Sequence, residues 1–147
     1  MVVCNAGLQK NGGLENMKDY ASLFLRLGLG VVFIIHGIQK IFPFSGSGGI
    51  DNFSLMLSEL GIPAAVIIAY VVAISEIICG LALLLGFYTR AACTLLLIIM
   101  GVALFKVHLA KGFFVASGGY EYVFMIVCAC LSLFFSGGGK FSITKRV

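Results

Sequence analysis

Four long apolar stretches divide the chain, each bounded by glycine, proline or charged residues. They run over Tyr20–Ile41, Ile62–Tyr88, Ala91–Ala110 and Tyr120–Ser136. The second has no charged residue except Glu76, and it is longer than the about 20 residues that a helix needs to cross a hydrocarbon core. Because a chain of 147 residues cannot bury four such helices within a globule, we interpret all four as membrane spans.

A shorter amphipathic segment separates the first two spans. Over Ile50–Leu60, apolar residues recur at i, i+3, i+4 and i+7, and polar residues occupy the other face. Asp51 is expected to cap this helix, Gly61 to end it, and Pro63 to open the second span within its first turn. About ten residues cannot cross a bilayer, so the segment is predicted to lie in the interface.

The remaining segments are polar. Residues 1–18 have no periodic apolar face and predict a disordered tail, and residues 144–147 form a short basic tail. Glycine and serine after Pro43 indicate a loop, and Tyr88-Thr89-Arg90 a tight turn. Residues 19–143 are therefore predicted to form an all-α integral membrane domain, a four-helix bundle with one interfacial helix.

Composition and charge agree with a membrane protein. The chain is 61% hydrophobic and 11% charged, and the absence of a basic run with interleaved aromatics argues against a nucleic-acid partner. With four spans, one side collects six basic residues and the other three: Lys10, Lys18, Arg90, Lys140, Lys145 and Arg146 against Lys40, Lys106 and Lys111. This excess predicts a multi-pass protein with both termini in the cytoplasm.

Charged residues deep within spans are candidates for function. A charge at the bilayer centre costs at least about 2.5 kcal/mol, so we expect Arg26 and Glu76 to pair across the first two spans. The alternative is a lone Glu76 that stays protonated. Lys40, at the end of the first span, is expected to extend toward the interface.

A second group of titratable residues is predicted to share one layer near the outer face. His36, His108 and Glu121 come from different spans at similar estimated depths, and we expect them to converge on a cavity that opens outward. The alternative is that each group near a span end meets water. The predicted ligand site comprises His36, Gln39, Lys40, His108, Tyr120, Glu121 and Tyr122.

The cysteines do not indicate a metal or redox centre. No CxxC, haem or zinc spacing occurs. Cys128 and Cys130 are about 200° apart around a helix, so they are expected to serve as small packing residues on different faces. No metal is expected.

Several segments resemble the DoxX family of small membrane proteins: RLGLGVVFIIHGIQKI in the first span, LLLGFYTRAA after Glu76, HLAKGFF, and GGYEYVF. The resemblance extends from about Tyr20 to Ile143. It implies a four-helix bundle in the bacterial inner membrane. It also implies a redox association, with quinone-coupled oxidation of sulfur compounds or with oxidative-stress complexes.

Two functional hypotheses follow. In the first, the protein is the membrane subunit of a redox complex: the outer layer binds a quinone headgroup, His36 or His108 bonds a carbonyl, and Glu121 exchanges the proton. The electrons would come from a soluble redox protein, because the sequence has no redox motif. In the second, the protein is a non-enzymatic anchor or scaffold whose buried charges fix helix register. A transporter is harder to build because the four spans lack inverted repeats.

Overall fold

A computed structural model of the protein describes residues 4–43 and 48–144, with side chains from residue 17 onward except residue 18. These residues form helices and loops without a β-strand, which confirms the all-α prediction. The α-helices are α1 (Cys4–Ile41), α2 (Gly49–Glu59), α3 (Ala65–Leu85), α4 (Thr89–Ala103) and α5 (Glu121–Ser136). A π-helix over Leu104–His108 and 3-10 turns over Leu109–Lys111 and Val115–Ser117 connect α4 to α5.

Three helical stretches are long and apolar enough to cross a membrane. They are Asp19–Ile41, Ala65–Leu85 and Thr89–Lys111, the last including the π and 3-10 turns that follow α4. Helix α5 is apolar but has 16 residues, a length of about 24 Å against a hydrocarbon core of about 30 Å. The fourth span therefore stays a prediction.

Large apolar side chains cover the outside of these helices. Phe24 on α1, Ile67 on α3 and Phe135 on α5 are 69%, 65% and 74% exposed. A soluble monomer rarely exposes contiguous apolar surface on this scale, whereas lipid tails would cover it without cost. The exposed belt thus agrees with a location in the membrane.

Helices α1 and α3 pack closely through glycines. A Cβ on Gly30 would meet the Gly80 carbonyl oxygen at 2.9 Å, and one on Gly37 would meet the Ala73 carbonyl at 2.7 Å. A later residue of α1 thus contacts an earlier residue of α3, so the two helices are antiparallel. Small residues permit such approaches in membrane bundles. Gly28, by contrast, has open space around its Cβ position.

The core lies where α1, α3, α4 and α5 meet. Phe33, Leu83, Leu96 and Leu133 are buried there beside three cysteines, Cys79, Cys93 and Cys130. Cys128 is exposed whereas Cys130 is buried, so the two lie on different faces of α5 as the helical period predicts.

The interfacial helix is confirmed as an element, but its start is not the predicted one. Its N-cap is Gly48, in a left-handed conformation with φ 68°, and Asp51 lies in the first turn. The carboxylate of Asp51 therefore comes too late to cap, although it still faces the positive end of the helix dipole. Gly61 ends the helix as expected. Its N–H donates to the Ser58 carbonyl, and the Ile62 N–H donates to the Leu57 carbonyl.

The second span begins and ends inside its predicted limits. Pro63 precedes α3, because Ala64 has a left-handed backbone (φ 52°) and helical bonding starts only after it. The following turn comprises Gly86 to Tyr88, and Thr89 and Arg90 already belong to α4. Left-handed backbone at Gly86 and Tyr88 reverses the chain here.

Both ends of the chain have backbone structure among the described residues. Where a disordered tail is expected over residues 1–18, α1 begins at Cys4; residues 1–3 lie outside the described residues, as do 44–47 of the predicted loop and 145–147 of the basic tail. Extending a helix that has already nucleated costs little, which explains the helical backbone of a polar segment. Residues 137–144 fold back onto the bundle, where Ile143 and Thr144 N–H donate to the Leu85 and Gly86 carbonyls.

Candidate functional site

An ion pair joins α1 to α3 within the bundle. Lys40 Nζ donates to Glu76 Oε2, and the Glu76 side chain is 1% exposed against 22% for Lys40. Lys40 Nζ also lies 5.3 Å from the centre of the Phe53 ring on α2. Helix α2 thus covers the ion pair at the C-terminal end of α1.

The predicted pairing of Glu76 with Arg26 is wrong, and so is the expected extension of Lys40 to the interface. Side chains on a helix point toward its N-terminus. On antiparallel α1 and α3, that direction brings Lys40 back into the bundle to meet Glu76. The same direction leads Arg26 away from Glu76.

Arg26 lies at the opposite end of the bundle and is fully buried. Its Nη2 donates to the Phe141 carbonyl at 3.1 Å, and Nη1 occupies the space that a side chain on Gly86 would need. Gly86 is ten residues from Glu76, about 15 Å along α3. Among the described residues, Nε and Nη1 of Arg26 have no hydrogen-bond partner.

A cavity of about 230 Å³ adjoins the Lys40–Glu76 pair. Four helices contribute to it, together with the segment that precedes α5. Its lining combines polar and apolar side chains. It is lined by Val32, Phe33, His36, Lys40, Glu76, Met100, Ala103, His108, Val115, Gly118, Gly119, Tyr122, Val123 and Ile126.

The π-helix places His108 in this wall. Its wider turn interrupts the ordinary helical register just before the span ends, as π-bulges often do at functional sites. His108 Nδ1–H donates to the Gly118 carbonyl at 2.7 Å. With that proton on Nδ1, the neutral ring has an acceptor at Nε2.

His36 and Tyr122 lie side by side at the edge of the cavity. Their ring centres are 6.2 Å apart, and both residues are exposed on the outside of the bundle. Because this outside is the apolar surface of α1 and α5, the cavity has a lateral opening there.

Three predicted site residues do not line the cavity: Gln39, Tyr120 and Glu121. Glu121 instead accepts the Val115 backbone N–H at 3.0 Å, and the Tyr120 ring packs against Phe113 with centres 5.4 Å apart. The two residues fix the loop before α5, which supplies one wall of the cavity. Four of the predicted residues do line it: His36, Lys40, His108 and Tyr122.

Glu76 also lines the cavity, although it is predicted from the sequence to pair with Arg26 and is not among the predicted ligand-site residues. Its Oε1 is buried without a hydrogen-bond partner among the described residues. The cavity therefore offers acceptors at the Glu76 carboxylate and His108 Nε2, donors at the Lys40 ammonium and the Tyr122 phenol, and the His36 imidazole, which can do either. No group of three or more potential metal-ligating side chains occurs within residues 4–43 and 48–144 as described.

Comparisons with known proteins identify the family. The DoxX family model matches residues 21–109. An uncharacterized protein of Haemophilus influenzae is 32% identical over 138 residues, which is 90% of this chain and 95% of the relative. An uncharacterized membrane protein of Mycobacterium tuberculosis is 32% identical over 133 residues, 84% of this chain and 78% of the relative.

A Bacillus subtilis protein named "Putative oxidoreductase CatD" is 29% identical over 115 residues, 78% of this chain and 79% of the relative. No solved structure matches the chain. The family model covers more than half of the sequence, and the helices have membrane-spanning length and composition. The chain is therefore an integral membrane protein of the DoxX family.

Proposed function

We propose that the protein is the membrane subunit of a redox complex in the bacterial inner membrane and that its cavity binds a quinone headgroup. The observation that carries the proposal is the cavity itself, whose lining combines apolar side chains with His36, Lys40, His108 and Tyr122. A benzoquinone ring is flat and apolar with two carbonyl acceptors, so it needs these two kinds of surface. The oxidoreductase name of the Bacillus subtilis relative adds weaker support.

The size and opening of the cavity support a headgroup with a tail. A volume of about 230 Å³ is below the roughly 300–1,000 Å³ of sites that enclose a whole drug-sized ligand. A small ring fits this volume, and an isoprenoid tail would leave through the lateral opening beside His36 and Tyr122. The exposed apolar surface there is suited to such a tail.

The site residues have distinct roles in this proposal. Tyr122 O–H and the His36 ring are placed to donate hydrogen bonds to a carbonyl, and the Lys40–Glu76 pair holds an exchangeable proton beside them. A bound quinone supplies the capacity to take up two electrons and two protons. A soluble redox protein is the proposed source or acceptor of the electrons. Glu121, which bonds the loop backbone, takes a positioning role instead of the predicted proton exchange.

Binding of a short-tail, isotope-labelled benzoquinone to the full-length protein in nanodiscs tests the proposal, with equilibrium dialysis as the measurement. Tyr122→Phe removes one donor and keeps the ring, so we expect about threefold to tenfold weaker binding, the value of one hydrogen bond. His36→Ala should weaken binding at least as much. Lys106→Gln is the control, because Lys106 is exposed and does not line the cavity.

A second candidate function is a non-enzymatic scaffold for soluble partners. The observation that favours it is that Lys40 and Glu76 neutralise each other between α1 and α3, as a register-fixing pair would. Equal quinone binding by the wild type, Tyr122→Phe and His36→Ala would reject the quinone site and leave the scaffold as the better hypothesis.

A further inference from the structure

A second, larger cavity lies at the other end of the bundle. It is an open groove of about 660 Å³ between the start of the first span, the start of α4 and the end of α5. Its lining residues are Asp19, Ala21, Ser22, Leu25, Arg90, Ser132, Phe135, Ser136 and Gly139. None of them lines the cavity beside Glu76.

The position of the groove along the helices corresponds to the lipid headgroup layer. Asp19 is the first residue of its span, Arg90 the second residue of α4, and Ser136 the last residue of α5. Leu25 is six residues, or about 9 Å, deeper along α1. Together with the largely exposed Phe135, it extends the groove toward the hydrocarbon core.

The charges in the groove sum to zero. Among its lining residues, Asp19 is the one acid and Arg90 the one base. Such a surface complements a ligand that carries one charge of each sign, and it discriminates against a ligand with a net charge. A guanidinium is the preferred side chain for a phosphate, since its planar fork can donate two hydrogen bonds to the same group.

The hydroxyl groups of the groove favour an ammonium as the second charge. Ser22 O–H donates to the Gly137 carbonyl at 2.8 Å, and Ser136 O–H donates to the Ser132 carbonyl at 2.7 Å. With their protons used inside the protein, both oxygens are left as acceptors. Asp19 adds a carboxylate, of which Oδ1 already accepts the Lys140 backbone N–H at 2.9 Å. The oxygens of Asp19, Ser22 and Ser136 are therefore suited to bind a ligand group with several N–H donors.

We propose that this groove binds the headgroup of a zwitterionic aminophospholipid of the phosphatidylethanolamine type. Arg90 holds the phosphate, Asp19 and the serine oxygens hold the primary ammonium, and one acyl chain lies along Leu25 and Phe135. A choline headgroup has no N–H to donate, and a glycerol headgroup has no cation to pair with Asp19. The site thus distinguishes lipids that differ only in the headgroup.

Native mass spectrometry of the full-length protein, titrated in detergent with three lipids of identical acyl chains, tests this proposal. We expect the ethanolamine lipid to bind about tenfold more tightly than the choline and glycerol lipids. Asp19→Asn keeps an oxygen acceptor for the Lys140 N–H but removes the charge that pairs with the ammonium, and it should abolish the preference over the glycerol lipid. Arg90→Gln should weaken all three lipids, and Lys106→Gln, at the other end of the bundle, should change none.

Equal binding of the three lipids to the wild-type protein would overturn the proposal and identify the groove as a site of ordinary, unselective lipid contact. A preference over the glycerol lipid that persists in Asp19→Asn would overturn the assigned role of the carboxylate and with it the site. The wild-type comparison needs no variant, so a folding defect in either substitution leaves the test intact. Quinone binding is measured at the other cavity and is independent of these outcomes.

Discussion

Glu76 is held in the bundle by a single described partner. Its side chain is almost completely buried, and Oε2 accepts from Lys40 while Oε1 has no partner among the described residues. Removing a buried ion from water is costly, and one attractive pair repays that cost only in part. The ion pair is therefore tolerated in the bundle while it is intact, and removing either member should destabilise the protein.

We predict that Lys40→Met destabilises the protein by about 3 kcal/mol, because it leaves Glu76 buried without its cation. The double variant Lys40→Met/Glu76→Met should recover most of this loss, since two apolar side chains of similar volume need no compensation. Unfolding in mixed detergent with increasing sodium dodecyl sulfate, followed by circular dichroism, measures both.

Lys106→Met is the matched control for this prediction. It removes a lysine near the same end of the bundle from an exposed position, where substitutions usually change stability by less than about 0.5 kcal/mol. Equal unfolding midpoints for Lys40→Met and Lys106→Met would show that the ion pair contributes nothing.

The sequence identified which single residues would be buried and polar, but not their partners. Arg26 and Glu76 are both fully buried, as their depth in the spans predicts. Depth estimates measured from Cα positions nevertheless paired the wrong residues. A lysine or arginine side chain spans several ångströms, and its direction along the helix decides which group it reaches.

At the scale of elements, the contact between α1 and α3 determines where the cavity can form. The glycines at their crossing bring the two backbones together on the side of Gly30 and Gly80. Because the backbones are close, His36 and Lys40, further along α1, line the same cavity as Glu76 on α3. Larger side chains at the crossing would hold the two helices further apart. Sequence alone predicts that glycines permit such a contact, but it does not say which of them make it.

We predict that Gly30→Ala destabilises the bundle whereas Gly28→Ala does not. A Cβ at position 30 would lie 2.9 Å from the Gly80 carbonyl oxygen and 2.7 Å from the Leu84 side chain, and overpacking of this kind costs about 1–3 kcal/mol. Position 28 has nothing within 4 Å, so alanine there should be neutral or slightly stabilising through helix propensity. The same detergent unfolding experiment compares them; equal effects of the two substitutions would contradict the close crossing.

The loop between α4 and α5 is the element that sequence reasoning resolved least. The sequence predicts that its first part ends the third span, Ala91–Ala110, whereas the structure gives the segment a π-helix, two 3-10 turns and a hydrogen bond from the Val115 N–H to the Glu121 side chain. Glu121 was assigned to the ligand site because its depth matched that of His36. Depth cannot show that a carboxylate two residues after the loop's glycine pair will accept a hydrogen bond from the loop's own backbone.

At the scale of the whole molecule, the two ends of the bundle differ in chemistry. One end contains the cavity with His36, His108 and the Lys40–Glu76 pair. The other contains buried Arg26, the folded-back residues 137–144 and the groove of Asp19 and Arg90. If α5, at about 24 Å, spans the bilayer as predicted, the loop before it and the cavity that the loop borders lie close to the hydrocarbon layer. A lipid-soluble ligand would meet the cavity there without crossing a polar surface.

The charge count orients these two ends in the membrane. The end with Asp19 and Arg90 also has Lys140, and the basic residues on its predicted side number six against three. Positively charged short segments stay in the cytoplasm during insertion. The count predicts that the groove of Asp19 and Arg90 lies on the cytoplasmic side and that the cavity beside Glu76 faces the periplasmic half of the bilayer.

We therefore predict that alkaline phosphatase fused after Val147 is inactive in cells, since this enzyme folds only in the oxidising periplasm, and that green fluorescent protein at the same position is fluorescent. Alkaline phosphatase inserted after Ala116, in the loop before α5, should be active, and it serves as the internal reference for expression and insertion. The reverse pattern would invert the orientation and place the cavity in the cytoplasmic half. Activity at both positions would mean that an odd number of segments crosses, which would leave the short helix α5 as the segment that does not span the membrane.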